Sequence, residues 1–153
     1  MRIRNATKRR VKETAELMLG EFSKPPFNEK VTLNDVLKSL NFYFKIGKAY
    51  VMIANNKIAG IVIFKIEQYW EGPVIIIEDL AVKEIFKRQG IGKMLIDKVE
   101  AYAKKNKIKA IYFQTDKRSS AVKFYQRQEY KFRKNVISME KKIKSKSRNE
   151  KDS

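Results

Sequence analysis

The sequence predicts a single mixed α/β domain, in which helices cover both faces of a central mixed sheet. Over 153 residues, strand-like and helix-like apolar patterns follow one another in the order β-α-α-β-β-β-α-β-α-β-β. Hairpin-linked strands come first, and a strand–loop–helix–strand unit follows them. That combination requires antiparallel and parallel pairing within one sheet.

The elements of the first half are bounded by caps and turns. Thr7 is a candidate N-cap for the first helix, Thr32 or Asn34 for the second, and Gly47 ends that second helix. Asn55-Asn56 is typical of a hairpin turn. The predicted elements are strand Ile3–Ala6, helix Lys8–Glu21, helix Thr32–Lys45, strand Ala49–Ala54 and strand Ile58–Ile66.

The second half begins with a predicted loop, Gln68–Pro73, and contains a helix that starts after a glycine-containing loop and ends near Asn106. The remaining predicted elements are strand Val74–Val82, strand Ala110–Thr115, helix Ser119–Arg127, and strands Tyr130–Arg133 and Val136–Lys142. We expect residues 1–142 to form the domain and residues 143–153 to form a basic, polar tail.

The composition excludes several kinds of chemistry. The chain has no Cys and no His, so a disulfide framework, a Cys nucleophile and a Ser-His-Asp triad are all ruled out. Acid–base chemistry must use carboxylates, Tyr, Lys or water. No apolar run reaches membrane-spanning length and the N-terminus does not resemble a signal peptide. We therefore expect a cytoplasmic protein with no membrane partner.

The net charge of +18 favours binding of an anion, whether nucleic acid, an acidic membrane or a polyphosphate cofactor. A general bias toward lysine would give the same charge without any partner. Basic clusters such as Lys8-Arg9-Arg10 and Lys104-Lys105-Asn106-Lys107 are typical of solvated helix faces, so we expect nucleic acid not to be the partner.

The most informative segment is the loop Lys87-Arg88-Gln89-Gly90-Ile91-Gly92, which connects a strand to a helix. Two glycines let the backbone come close to a ligand, and the N–H groups of a helix N-terminus suit a pyrophosphate. Lys87, Arg88 and Lys93 add positive charge. The alternative is a tight turn that packs the helix on the sheet.

Leu80-x-Val82, followed by Gly90-Ile91-Gly92 and an amphipathic helix, resembles the acetyl-CoA motif of the GNAT superfamily of N-acetyltransferases. Lys87 stands where that motif has Gln or Arg. The resemblance covers almost the full chain and implies acetyl-CoA as co-substrate, with no metal. The cofactor-binding residues that it implies are Leu80, Ala81, Val82, Lys87, Arg88, Gln89, Gly90, Ile91, Gly92, Lys93, Arg118 and Tyr125.

A second segment, Arg118 to Tyr125, resembles the family pattern Asn-x-x-Ala-x-x-hydrophobic-Tyr. Arg118 replaces the usual Asn and could reach a phosphate. The resemblance implies that Tyr125 protonates the departing CoA thiolate. The alternative for Tyr125 is a core aromatic residue beside Phe124.

Because the chain has no His, a carboxylate is the natural acceptor of the amine proton, acting through water. Glu78 and Asp79 directly precede Leu80, in an order that resembles the diamine acetyltransferase branch, where the Glu is the proposed base. Strand alternation predicts that only one of them faces a given side. Glu78 is the first candidate and Asp79 the second.

The resemblance therefore predicts an N-acetyltransferase that moves an acetyl group directly from acetyl-CoA to a primary amine of a small molecule or peptide. The acceptor pocket is predicted to draw on Pro25-Pro26-Phe27, Phe42-Tyr43-Phe44 and Tyr69-Trp70. A basic nucleic-acid-binding module and a non-catalytic interaction module on the same fold are the alternatives. A homodimer is compatible with the sequence, which does not determine the oligomeric state.

Overall fold

The computed structural model describes residues 1–144, so most of the predicted tail, residues 145–153, lies outside the described residues. Short 3-10 turns at Lys8–Arg10 and Glu84–Phe86 precede two of the helices. The strands are β1 (Arg2–Asn5), β2 (Lys48–Ala54), β3 (Lys57–Tyr69), β4 (Gly72–Val82) and β5 (Ile111–Tyr112), and the helices are α1 (Val11–Phe22), α2 (Leu33–Ile46), α3 (Ile91–Lys105) and α4 (Ala121–Arg127).

The strands form one mixed sheet in the order β1-β2-β3-β4-β5. The first three pairings are antiparallel, and β4 pairs with β5 in parallel. Helix α3 makes the crossover between the two parallel strands, as a parallel connection requires. The predicted fold class is therefore confirmed.

Helices cover both faces of the sheet, as the apolar periodicity predicts. On one face, buried α1 and α2 residues such as Met18 and Leu40 pack against Ile61 and Ile63 of β3. On the other face, α3 contributes a buried apolar stripe that packs against the opposite side of the same strands. Because both faces are covered, β3 is apolar almost throughout its first half.

Strand β4 diverges from β5 after a short parallel contact. The described pairing joins Ile75 with Ile111 and Ile76 with Tyr112, whereas β4 continues to Val82 and stays paired with β3 over that length. The second half of β4 thus has one free edge among the described residues. This divergence opens a gap in the sheet, and the candidate site lies there.

A β-bulge interrupts β4 beside this gap. Ile63 pairs with Asp79 and Phe64 pairs with Ile77, so Glu78 is an extra residue with no partner on β3. An extra residue locally breaks the alternation of side chains along a strand. The expectation that Glu78 and Asp79 face opposite sides is wrong for this reason. The Glu78 carboxylate accepts a hydrogen bond from Tyr43 of α2, and Asp79 pairs with Ile63, whose side chain packs with α1 and α2.

The two predicted C-terminal strands, Tyr130–Arg133 and Val136–Lys142, are wrong. Residues 131–144 are exposed and form no strand, and side chains make their contacts with β5 and the residues that follow it. Arg133 lies 4.2 Å from the ring centre of Tyr112, and the Gln114 amide donates to Ser138 over 3.4 Å. A hairpin without a neighbouring strand is marginally stable in water.

Three local expectations also need correction. The hairpin between β3 and β4 is tighter than the loop Gln68–Pro73, since the strands pair as far as Tyr69 and Gly72. β5 is shorter than Ala110–Thr115, because it pairs with β4 at two positions. Thr7 makes no capping bond. The cap at Thr32 is confirmed, where Thr32 and Asp35 form a capping box.

Candidate active site

The gap between β4 and β5 contains a cavity of about 370 Å³. Its walls come from α1, α2, β4 and the start of α4, and Glu78, Asp79 and Tyr125 all line it. A second cavity of about 1020 Å³ adjoins it on the β5 side and shares Glu78 and Tyr125 with it. The three predicted catalytic residues are therefore brought together at one place.

Of the two predicted carboxylates, Asp79 is the one whose charge no neighbouring group offsets. It is partly buried and has no hydrogen-bond or ion-pair partner among residues 1–144. Burial, together with the negative charge of Glu78, raises the pKa of Asp79 from 3.8 to about 7. The side chain is thus divided between its two protonation states near neutral pH.

Glu78, in contrast, has a partner on each oxygen. Its Oε1 lies 2.9 Å from the ammonium of Lys65, and its Oε2 accepts a hydrogen bond of 3.1 Å from the hydroxyl of Tyr43. Lys65 also contacts Glu67 at 2.9 Å, and hydrogen bonds to Glu78 and Glu67 raise the pKa of Lys65. These contacts pair the Glu78 carboxylate with a cation and hold its orientation.

Tyr125 reaches the cavity from α4 and is 9% exposed. Its ring packs on Phe113, with ring centres 4.2 Å apart, and on Phe124, at 5.1 Å. Burial, with the charge of Asp79 as the second cause, raises the pKa of Tyr125 to about 12. Its hydroxyl has no hydrogen-bond partner among the described residues and remains protonated at neutral pH.

The predicted anion-binding loop has the backbone geometry that its glycines suggest. Arg88 and Gly90 have positive φ values of 61° and 75°, and Gly90 is the N-cap of α3. The next three N–H groups, of Ile91, Gly92 and Lys93, lack intrahelical acceptors because they belong to the first turn. Free amides and the helix dipole together suit a pyrophosphate.

The basic side chains of the predicted cofactor site differ in whether their positive charge is free to bind an anion. The ammonium of Lys87 lies 2.6 Å from Glu84 and 2.9 Å from Glu21, which fixes the loop against α1. Lys93 contacts Asp97 at 2.7 Å.

Arg118 is paired with a carboxylate, whereas Arg88 is not. Two atoms of the Arg118 guanidinium contact Asp116, at 2.6 and 3.0 Å, and this holds the pKa of Asp116 well below its usual range. Arg88 is exposed and has no ion-pair partner among residues 1–144. Of these cations, Arg88 is the one whose charge is not already neutralised by a neighbouring carboxylate.

The free edge of β4 lies between this loop and the cavity. Leu80, Ala81 and Val82 pair with β3 on one side, and their other side faces the gap left by β5. Strand backbone without a partner can bind an extended ligand through hydrogen bonds. The gap therefore offers a continuous surface from the α3 N-terminus to Asp79 and Tyr125.

The sequence profile of the acetyltransferase (GNAT) family matches residues 14–130. The chain belongs to this family. The match includes the free edge of β4, the loop before α3, and Tyr125. It also identifies the protein as an acetyl-CoA-dependent N-acetyltransferase, the class that the two sequence motifs predict.

Solved structures agree with this acetyltransferase in fold. A possible acetyltransferase from Clostridium difficile 630 superposes with a TM-score of 0.81 at 15% identity, over 94% of this chain and 98% of that one. AAC(6')-Iy, solved with the bisubstrate analogue CoA-S-monomethyl-acetylneamine, gives 0.75 at 17%, over 93% and 98%.

A transcriptional regulator from Bacillus halodurans C-125 gives a TM-score of 0.77 at 19% identity, over 91% of this chain and 98% of that one. At these identities the likeness to each solved structure concerns the fold alone. No curated protein is significantly similar to the chain in sequence.

The candidate site of this acetyltransferase also contains residues that the sequence patterns did not identify. The Lys65 contact with Glu78 depends on the β-bulge, which leaves no sequence signal. Among the predicted acceptor-pocket residues, Phe27 lines the smaller cavity and Tyr43 holds Glu78. Trp70 is fully exposed at 106%, because it lies in the tight β3–β4 turn.

Within residues 1–144, no group of three or more acidic side chains is arranged to hold a metal ion. None of the helices in that range is both long and apolar enough to cross a membrane.

Proposed function

We propose that this GNAT enzyme transfers the acetyl group of acetyl-CoA directly to a primary amine, within a complex that contains both substrates. The observation that carries the proposal is the cavity at the β4–β5 gap, which Asp79 and Tyr125 both line. A covalent acetyl-enzyme route lacks its usual parts, because the chain contains no Cys and no His to activate a Ser.

Acetyl-CoA would bind along the gap and supply the acetyl thioester. The free amides of the α3 N-terminus would bind its pyrophosphate, and the exposed guanidinium of Arg88 would add charge. The free edge of Leu80–Val82 would hydrogen-bond the pantetheine arm. Lys87 and Arg118 would act mainly by fixing the loops, since their side chains already contact carboxylates.

Asp79 would accept the proton of the incoming ammonium, directly or through one water. A general base works best when its pKa is close to the working pH, and the pKa of Asp79 is raised to about 7. Glu78 is the alternative base, but both of its oxygens already have partners. We therefore reverse the order that the sequence resemblance favours, and assign Glu78 to positioning and to raising the pKa of Asp79.

Tyr125 would donate a hydrogen bond to the sulfur as the thiolate departs. Its pKa of about 12 exceeds that of an ordinary thiol, about 8.5, so complete proton transfer to the thiolate is unfavourable. Stabilisation by the hydrogen bond is then the main contribution of Tyr125. The thiolate itself takes up the second proton, which the nitrogen releases when the amide forms, so the products are the N-acetylated amine, CoA thiol and protonated Asp79.

Initial rates test the proposal. Free-thiol release from acetyl-CoA is measured with a panel of primary amines while both concentrations are varied. A ternary complex predicts intersecting double-reciprocal lines, and incubation with acetyl-CoA alone leaves the protein mass unchanged. Parallel lines together with an acetylated enzyme would contradict direct transfer. Absence of thiol release with every amine would contradict the activity itself.

A further inference from the structure

The charges around the smaller cavity differ from those of the rest of the molecule. Lys and Arg account for 35 of the 153 residues, yet none of the described residues that line this cavity is Lys or Arg. Four carboxylates line it instead. Glu78 and Asp79 lie at its inner end on β4, and Glu29 and Asp35 lie on the α1–α2 side.

These carboxylates differ in whether a neighbouring group already binds them. Lys65 compensates the charge of Glu78, and the Oδ2 of Asp35 accepts hydrogen bonds of 2.8 and 2.7 Å from Thr32 in the capping box. Glu29 is exposed, and its side chain has no hydrogen-bond or ion-pair partner among residues 1–144. Its charge is therefore available to a ligand that extends from the cavity.

The nearest guanidinium does not offset this negative charge. A nitrogen of Arg118 lies 3.5 Å from the carbonyl oxygen of Pro26, beside Phe27 at the edge of the cavity. That guanidinium is already bound by the carboxylate of Asp116. The charge of Lys38 also acts on Asp35, but Lys38 does not line the cavity, so a carboxylate or phosphate entering on this side would meet Glu29 and Asp35 first.

The remaining walls are apolar and partly aromatic. Phe22 and Phe27 form an edge-to-face pair with ring centres 5.4 Å apart, and Phe113 closes the inner side. A second observation indicates that a polar ligand group belongs inside. Tyr125, which is 9% exposed, lines the cavity, and its hydroxyl has no partner among the described residues.

We infer that this cavity selects acceptors by charge, taking primary amines on an apolar body and rejecting amines that also carry an anionic group. Glu29 is the specificity-determining residue at its outer side. The inference rests on the proposed function, since it describes the acceptor of that same site. Like charges placed together at an interface oppose binding strongly, and specificity often depends on such a repulsive element.

Three matched amines test the inference: benzylamine, para-(aminomethyl)benzamide and para-(aminomethyl)benzoate. They share the ring and the reacting amine and differ in the far substituent. We expect kcat/KM for the benzoate to be at least about tenfold below that for the benzamide. The benzamide controls for the size of the para substituent. Benzylamine, which has no para substituent, shows whether transfer needs one.

A charge reversal provides the decisive comparison. Glu29→Lys should raise kcat/KM for the benzoate relative to that for the benzamide. Glu16→Lys makes the same change in net charge on the exposed side of α1, outside the cavity, and should leave the ratio at its wild-type value. Equal rates for benzoate and benzamide in the wild type would overturn the inference, as would equal effects of the two variants.

Failure of the inference and failure of the proposed function give different results. No transfer to benzylamine or the benzamide by an enzyme that binds acetyl-CoA and acetylates other amines would overturn the inference alone. No acetyl-CoA binding, measured by calorimetry, would overturn the proposed function as well.

Discussion

The acid–base properties of Asp79 and Tyr125 are coupled through charge. The negative charge of Asp79 is one cause of the raised pKa of Tyr125. In the proposed reaction, Asp79 becomes neutral when it takes up the proton of the amine. Its charge then no longer raises the pKa of Tyr125. Tyr125 then becomes a better hydrogen-bond donor at the stage when the thiolate forms. In the proposed reaction, the base step therefore favours the donor step without any movement of the backbone.

Replacing the Tyr125 hydroxyl should slow the reaction without stopping it. Tyr125→Phe keeps the ring contacts with Phe113 and Phe124 and removes one hydrogen bond to the departing sulfur. We expect kcat to fall about tenfold, the effect of about one hydrogen bond, with unchanged acetyl-CoA affinity. Steady-state kinetics and calorimetry measure both quantities, and equal melting temperatures would show that packing is intact. A wild-type kcat across neutral and alkaline pH would make Tyr125 a packing residue only.

At the level of elements, the N-terminus of α3 is held against α4 through a glycine. A Cβ added to Gly92 would lie 3.4 Å from the Phe124 ring and 3.9 Å from Val82. The side of Gly92 therefore faces α4, so its substitution acts first on helix packing.

This contact predicts a graded response at residue 92. Gly92→Ala places one methyl group in ordinary van der Waals contact, so acetyl-CoA affinity and melting temperature should stay close to those of the wild type. Gly92→Val adds two branches that must displace Phe124, and overpacking of this kind costs about 1–3 kcal/mol. We expect a lower melting temperature and weaker acetyl-CoA binding by calorimetry. Unchanged stability and affinity in the valine variant would contradict the packing role.

The elements that periodicity predicts well are those with a continuous buried face. Helix α2 is found within one residue of its predicted start, because the capping pattern at Thr32 and the apolar stripe agree. The C-terminal strands fail for the opposite reason. Phe132 and Ile137 are 67% and 81% exposed, so a strand-like pattern there has no face to bury and no described strand to pair with.

The sequence singled out residues that meet at the candidate cavity, but it did not indicate their arrangement. Gly90 and Tyr125 were found because their motifs are short and local in sequence. The roles of Glu78 and Asp79 depend on a one-residue bulge and on Lys65 from the neighbouring strand. Strand alternation assumes a regular strand and cannot detect an inserted residue, so the sequence favoured the wrong geometry for this pair.

Considered as a whole, the molecule separates two charge environments. Its net charge of +18 favours approach of the polyanionic cofactor toward the exposed loop before α3. The acidic cavity between α1, α2 and β4 favours a cationic amine. Two ligands of opposite charge would thus bind on different sides of the same gap in the sheet, as direct transfer within a ternary complex requires.

The central claim is that Asp79 is the base at this gap, and the pH dependence of kcat/KM for two variants tests it most directly. In the wild type, kcat/KM should rise through about pH 7, because the ionised form of Asp79 accepts the proton and its pKa is raised to about 7. Asp79→Asn should lose this rise and fall about 10²-fold or more in rate.

Glu78→Gln should stay active and shift the rise to lower pH, because the charge of Glu78 is one cause of the raised pKa of Asp79. Equal melting temperatures would show that both variants are folded. If Asp79→Asn keeps the rise while Glu78→Gln abolishes it, Glu78 is the base and the account of the site is wrong.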